Sequence, residues 1–139
     1  MDRNLKRAII IDNYKEPVGK GLIDDHSYKR ANMSSESCID EIEMMVKLEN
    51  GLIKDIRFTG EACAISTSAT SIMIKLLMNK TVEEAKEIIK NYENMINNEE
   101  YNKELLGEAN VYDEIYKQPN RIKCALFPWD CFKKIIVEK

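Results

Sequence analysis

Between Glu41 and Phe58 the sequence alternates with a period of two, and no other stretch restricts the fold as tightly. Ile42, Met44, Val46 and Leu48 interleave with Glu41, Glu43 and Lys47; after Asn50-Gly51, Leu52, Ile56 and Phe58 interleave with Asp55 and Arg57. Successive side chains of a strand point to opposite faces, so each run has one apolar and one polar face, and Asn-Gly is a strong hairpin signal. The pattern predicts a β-hairpin whose register is set by the turn. A two-residue loop would set Met44 beside Arg57 and Val46 beside Asp55, so that the apolar faces disagree. A three-residue loop, Glu49-Asn50-Gly51 with Gly51 left-handed, sets Ile42 against Phe58 and Met44 against Ile56 and is the predicted register. Extended outward, it brings Cys38 opposite Ala62 and level with Cys63 across the open end of the hairpin.

Helical periodicity surrounds this hairpin. Leu5, Ala8, Ile9 and the run from Ile11 to Tyr14 predict an N-terminal helix ending near Pro17, followed by a loop or edge strand. After Cys63 the stripe Ile65, Ala69, Ile72, Met73, Leu76 and Leu77 predicts a second helix. Its other face carries Ser66, Thr67, Ser68, Thr70 and Ser71, small enough for another backbone or a partner to approach closely. Thr81 and Glu84 form a capping box before Val82, Ala85, Ile89, Tyr92 and Ile96. Two short helical pieces are expected around Gly107, and Ala125, Trp129, Phe132 and Ile136 mark the inner face of a C-terminal helix. Proline is tolerated in a first turn, so Pro128 predicts that this helix begins nearby, with Cys124 near its N-terminus. The sum is an α+β fold, a small antiparallel sheet packed against several helices, expected as one domain over residues 1–139.

Such a chain is long enough to bury a core without disulfide staples. No apolar run approaches a membrane span and no cleavable leader is evident, so a cytoplasmic protein that does not engage membranes is expected. In a reducing compartment cysteines are thiols, metal ligands or core residues rather than bridges. The formal net charge of −3 argues against a nucleic-acid partner. Residues 97–120 are acid-rich and 121–139 base-rich, which reads as a solvated face or, less simply, a surface for a partner protein.

Four cysteines stand against one histidine, His26, which excludes a histidine-based zinc site. Cys63 just before one helix and Cys124 at the start of another would meet unpaired amide groups that favour thiolates. Asp40, two residues from Cys38, shares its strand face. Cys38, Asp40, Cys63 and Cys124 would then converge from three segments, a donor set that suits tetrahedral zinc, while thiolates also suit an iron–sulfur cluster. On composition alone any one cysteine fits a core equally well. Cys131 is assigned to helix packing near Phe132, His26 to the surface, and Met44, Met45, Met73, Met78 and Met95 to the core.

Several motifs resemble the iron–sulfur cluster assembly scaffolds of the IscU, SufU and NifU N-terminal type. Ile11-Asp12-Asn13-Tyr14-Lys15-Glu16-Pro17 with Gly19-Lys20-Gly21 is similar to the family's opening segment. Ser37-Cys38-Ile39-Asp40 stands where the family has Pro-Cys-Gly-Asp, Gly60-Glu61-Ala62-Cys63-Ala64-Ile65-Ser66 resembles its second cysteine motif, and Arg121-Ile122-Lys123-Cys124-Ala125-Leu126 with Trp129 its third. Asn13, Ser37 and Ile39 replace the family's histidine, proline and glycine. The long interval between Cys63 and Cys124, Lys123 in place of the IscU-type histidine and the absence of a Leu-Pro-Pro-Val-Lys segment resemble the SufU branch, with its extra segment at about 97–120.

The resemblance implies metal ligands Cys38, Asp40, Cys63 and Cys124. It also implies a zinc-bound protein with sulfurtransferase-like activity, taking sulfur from a pyridoxal-phosphate cysteine desulfurase and passing it to downstream iron–sulfur assembly proteins or apoproteins. Cys38 is the first candidate acceptor and Cys124 the second, with Arg121 one turn away as a positive charge. The alternative is a scaffold that builds and transfers a [2Fe–2S] cluster on the same residues. A purely structural zinc module is a third reading.

Overall fold

A computed structural model describes residues 1–34 and 40–137 of the chain. The expected α+β architecture is what these residues form. The element order is α1 (Arg3–Lys15), β1 (Lys29–Ser34), β2 (Glu41–Glu49), β3 (Leu52–Glu61), α2 (Ala64–Leu77), α3 (Val82–Ile96), the short α4 (Lys103–Leu106), two 3-10 segments (Gly107–Tyr112 and Ile115–Lys117) and α5 (Pro119–Val137). The strands make one antiparallel sheet in the order β1-β2-β3. Among the described residues no helix is long and apolar enough to cross a membrane.

The hairpin forms, but with a different register. Asn50 and Gly51 both have positive φ, and Glu49 pairs with Leu52, so the turn is the two-residue one. A bulge between Lys47 and Leu48 then shifts the pairing, which sets Val46 against Ile56 and Met44 against Phe58. The bulge reconciles apolar faces that a plain two-residue loop would have set at odds. It also explains why Ile53 and Ile56, three positions apart, are both buried while Lys54 between them is exposed. In a regular strand those isoleucines would face opposite sides.

The turn end of the hairpin is tied to the link between α2 and α3. Ile53 N–H donates to the Lys80 carbonyl at 2.8 Å, and Val82 N–H to that of Gly51 at 3.0 Å. The opening segment covers β3. Phe58 N–H donates to the Gly19 carbonyl at 2.9 Å and Gly21 N–H to that of Phe58 at 2.7 Å, which blunts an exposed edge. Gly19 has φ +79°, and a Cβ there would lie 2.7 Å from the Ile56 carbonyl, so only glycine fits. Asn13, in place of the family histidine, is the buried residue of α1. Its Oδ1 accepts from Ser71 Oγ at 2.7 Å, and Ser71 Oγ accepts from Val18 N–H at 2.9 Å. Leu5, Ile11 and Tyr14 of α1 are exposed.

Helix α2 is central, and the close approach permitted by its small hydroxyl face is made by elements of this chain: Ser66, Ser68, Thr70 and Ser71 are all fully buried. The capping box is present, with Glu84 N–H donating to Thr81 Oγ1 at 3.0 Å and Thr81 N–H to Glu84 Oε1 at 2.9 Å. Helix α5 departs most from expectation. It starts at Pro119, a favourable first position for proline, and carries Pro128 in its interior. Tyr92 stacks on Trp129 with centroids 4.0 Å apart, and its hydroxyl donates to the Ala125 carbonyl at 2.7 Å. In the acid-rich segment Asp113 pairs with Lys6 at 2.6 Å and Glu108 with Lys75, so part of its charge is matched within the molecule.

Candidate metal centre

Three segments meet at the open end of the hairpin. Asp40 immediately precedes β2, Cys63 is the N-cap of α2, and Cys124 lies in the second turn of α5. A carboxylate oxygen of Asp40 and the two sulfur atoms all lie within 4.8 Å of one another. Asp40 is 1% exposed and Cys124 5%, while Cys63 is half-buried. Cys38, the fourth expected ligand, lies outside the described residues, as do Ser37 and Ile39.

Each member is held by local structure. Cys63 caps α2 in an extended conformation, and its Sγ accepts from the Ser66 N–H at 3.4 Å, so the expected helix-start position holds for this thiol. For Cys124 it does not. Pro119 rather than Pro128 begins α5, which puts Cys124 beyond the unpaired amides of the first turn. Asp40 is a buried carboxylate, costly unless its oxygens are bonded. Oδ1 accepts from Cys63 N–H at 2.7 Å and Oδ2 from Ser66 Oγ at 2.7 Å. Gly60 permits the approach: it has φ +137°, and a Cβ there would lie 2.0 Å from the Glu41 carbonyl, displacing the start of β2.

The donor set fits a borderline metal ion. Two sulfurs and one carboxylate oxygen match zinc, which accepts both kinds of ligand. Arg121 is exposed in the first turn of α5, one turn before Cys124. Cys131 is fully buried in the apolar core, with its Sγ 4.0 Å from the Ala31 carbonyl, and burial pushes its thiol up to about 11. His26 is exposed, and Met44, Met45, Met73 and Met95 are buried as expected, with Met78 partly so.

Two residues with no assigned part in the sequence reading border the site. Ser66 bonds to Asp40, and Tyr112, from the 97–120 segment, shares a 2.5 Å hydrogen bond with Ser68. Burial above all, with the nearby Cys63 adding to it, pushes the Tyr112 phenol well above its ordinary range. The sequence signals for Ser66 are its place at the end of the second cysteine motif and on the hydroxyl-rich face of α2, and neither assigns it a contact with Asp40.

Comparison with known proteins adds the family context. The family model described as NifU-like N terminal domain matches residues 5–125. The zinc-dependent sulfurtransferase SufU of Bacillus subtilis is 32% identical over 136 residues, covering 97% of this chain and 91% of that protein. The iron–sulfur cluster assembly scaffold protein IscU of Streptococcus pyogenes is 33% identical over 135 residues, covering 96% and 83%. A crystal structure of a SUF-system SufU protein from Fervidobacterium islandicum superposes with a TM-score of 0.84 at 32% identity, covering 91% of this chain and 93% of that one.

Proposed function

The chain belongs to the NifU-like N-terminal domain family, and from that premise we propose that it is an iron–sulfur cluster assembly protein of the SufU type. In this reading it takes persulfide sulfur from a pyridoxal-phosphate cysteine desulfurase and passes it to cluster assembly. The observation that carries the reading is the convergence of Asp40, Cys63 and Cys124 within 4.8 Å. Those residues and Cys38 would hold zinc. When bound, zinc supplies a positive charge that keeps the thiols ionised and limits their oxidation.

The transfer is a thiol exchange. A thiolate of this chain attacks the outer sulfur of the desulfurase persulfide. The new S–S bond forms as the old one breaks, and the desulfurase cysteine leaves as its thiolate, so one sulfur atom moves without an external oxidant or reductant. Cys38 is the first candidate for the accepting thiolate and Cys124 the second, an order supported by the burial of Cys124. Arg121, exposed one turn from Cys124, would offer positive charge to the anionic persulfide.

Replacing each cysteine and following sulfur uptake from the desulfurase tests this. Loss of transfer in the Cys38→Ser variant is expected, and full transfer with both Cys38 and Cys124 replaced would overturn it. A second reading, a scaffold that assembles a [2Fe–2S] cluster on the same residues, is favoured by the similarity to the Streptococcus scaffold protein. Elemental analysis of protein purified without oxygen separates the two. Stoichiometric zinc that resists iron and sulfide supports the carrier, and a reconstituted cluster supports the scaffold.

A further inference from the structure

The metal centre and the longest helix meet at a defect in that helix. Pro128 lies inside α5, and proline has no N–H to donate to the carbonyl four residues earlier, that of Cys124. The Cys124 carbonyl accepts from Ser66 Oγ instead, at 3.0 Å. The neighbouring carbonyl, that of Ala125, accepts from the Tyr92 hydroxyl at 2.7 Å. Hydroxyls from two other helices thus reach α5 where its own ladder is interrupted.

Ser66 does more than fill the gap. Its hydroxyl also lies 2.7 Å from Asp40 Oδ2, and its amide N–H donates to Cys63 Sγ at 3.4 Å. The residue is fully buried, so water does not compete for these groups. A serine hydroxyl carries one hydrogen. Here that hydrogen stands between two acceptors, the side chain of one ligand residue and the backbone of another.

We propose that Ser66 is a positioning residue of the centre: across the gap left by Pro128, its hydroxyl ties the Asp40 carboxylate to the α5 turn that carries Cys124. The inference rests on Asp40, Cys63 and Cys124 being metal ligands. Without Ser66, Asp40 Oδ2 loses its 2.7 Å hydrogen bond, and the ligand residues from the sheet and from α5 lose the hydroxyl that bridges them. Partners that orient metal ligands in this way commonly contribute a factor of about 10 to 100 in metal affinity.

The test uses the full chain, with Zn2+ affinity read by competition with a chromogenic chelator and Co2+ as a spectroscopic substitute. Ser66→Ala weakens Zn2+ binding about 10- to 100-fold and shifts the visible Co2+ bands, which report ligand geometry. Ser71→Ala removes an equally buried hydroxyl of the same helix, bonded to Asn13, and leaves both readings unchanged. In an Asp40→Ala background the effect of Ser66→Ala on affinity is much smaller, because one of the two groups its hydroxyl joins is gone.

The double variant Ser66→Ala with Pro128→Ala separates positioning from folding. Alanine at 128 supplies an N–H for the Cys124 carbonyl, so the metal-free protein regains thermal stability while Zn2+ affinity stays at the Ser66→Ala level. This variant also serves if Ser66→Ala alone does not fold. Wild-type affinity and Co2+ bands in either variant, or an undiminished Ser66→Ala effect in the Asp40→Ala background, would overturn the positioning role. If Asp40→Ala itself leaves binding unchanged, the ligand assignment fails instead.

Discussion

Cys124 and Cys131 leave α5 two turns apart on nearly the same face, and both are buried. Their surroundings differ. Cys124 meets Asp40 and Cys63 at the open end of the hairpin, where buried hydroxyls and amides supply polar partners. Cys131 sits among apolar side chains beside β1, and burial raises its thiol from the ordinary 9.0 to about 11. Burial alone therefore does not give two thiols the same surroundings. The distinction lies in whether the neighbouring elements bring polar groups and a second candidate ligand to the same point.

The contrast can be broken most directly at Cys124. Cys124→Ala should weaken Zn2+ binding by more than about 100-fold, beyond the range of an orienting partner, while Cys131→Ala leaves it unchanged; elemental analysis and chelator competition read both. Gly60→Ala comes next. The new Cβ would collide with the Glu41 carbonyl and move Asp40 away from Cys63, with a cost of roughly 1–3 kcal/mol in urea unfolding and a fall in metal affinity.

A smaller effect concerns the pH dependence of Cys131. The folded protein holds this proton more tightly than the unfolded chain, so the associated stability is present below about pH 9 and is lost as pH rises towards about 11. Between pH 9 and 10, below the midpoint of tyrosine titration, stability should fall by about 1 kcal/mol from this group. Cys131→Ala should remove that part of the fall in metal-free protein, and an unchanged fall would refute the assignment. The smallest change is Thr81→Ala at the far end of the hairpin. It should cost about 1 kcal/mol through loss of the capping box and leave metal binding intact.

Much of the fold could be read from local patterns. The alternation at 41–48 and Asn50-Gly51 announced the hairpin, and Thr81 with Glu84 announced the start of α3, because a strand face, a left-handed turn and a helix cap each depend on residues a few positions apart. The bulge between Lys47 and Leu48 was harder to see. It disturbs the ladder locally, and the compensating gain, burying Ile53 with Ile56, appears only when the helices cover that face. The spacing of those two isoleucines was its one sequence trace. Pro128 misled for a related reason: the rule that keeps proline out of helix interiors is local, whereas the hydroxyls reaching the carbonyls of Cys124 and Ala125 come from α2 and α3.

The candidate site divides along the same line. Residue chemistry, strand alternation and motif resemblance point to Cys38, Asp40, Cys63 and Cys124 as a donor set, and the order of the elements also follows from the chain except at β1, where the sequence leaves a loop or an edge strand open. The meeting of Asp40, Cys63 and Cys124 and the bridging place of Ser66 depend on packing between segments remote in sequence, whereas the burial of Cys131 follows from its place on the helix face near Phe132. Periodicity and capping are short-range and written along the chain. The distance between a sheet end, a helix cap and an interrupted helix is set by how buried surfaces fit together, with Gly60 allowing the approach and Pro128 leaving a carbonyl for Ser66.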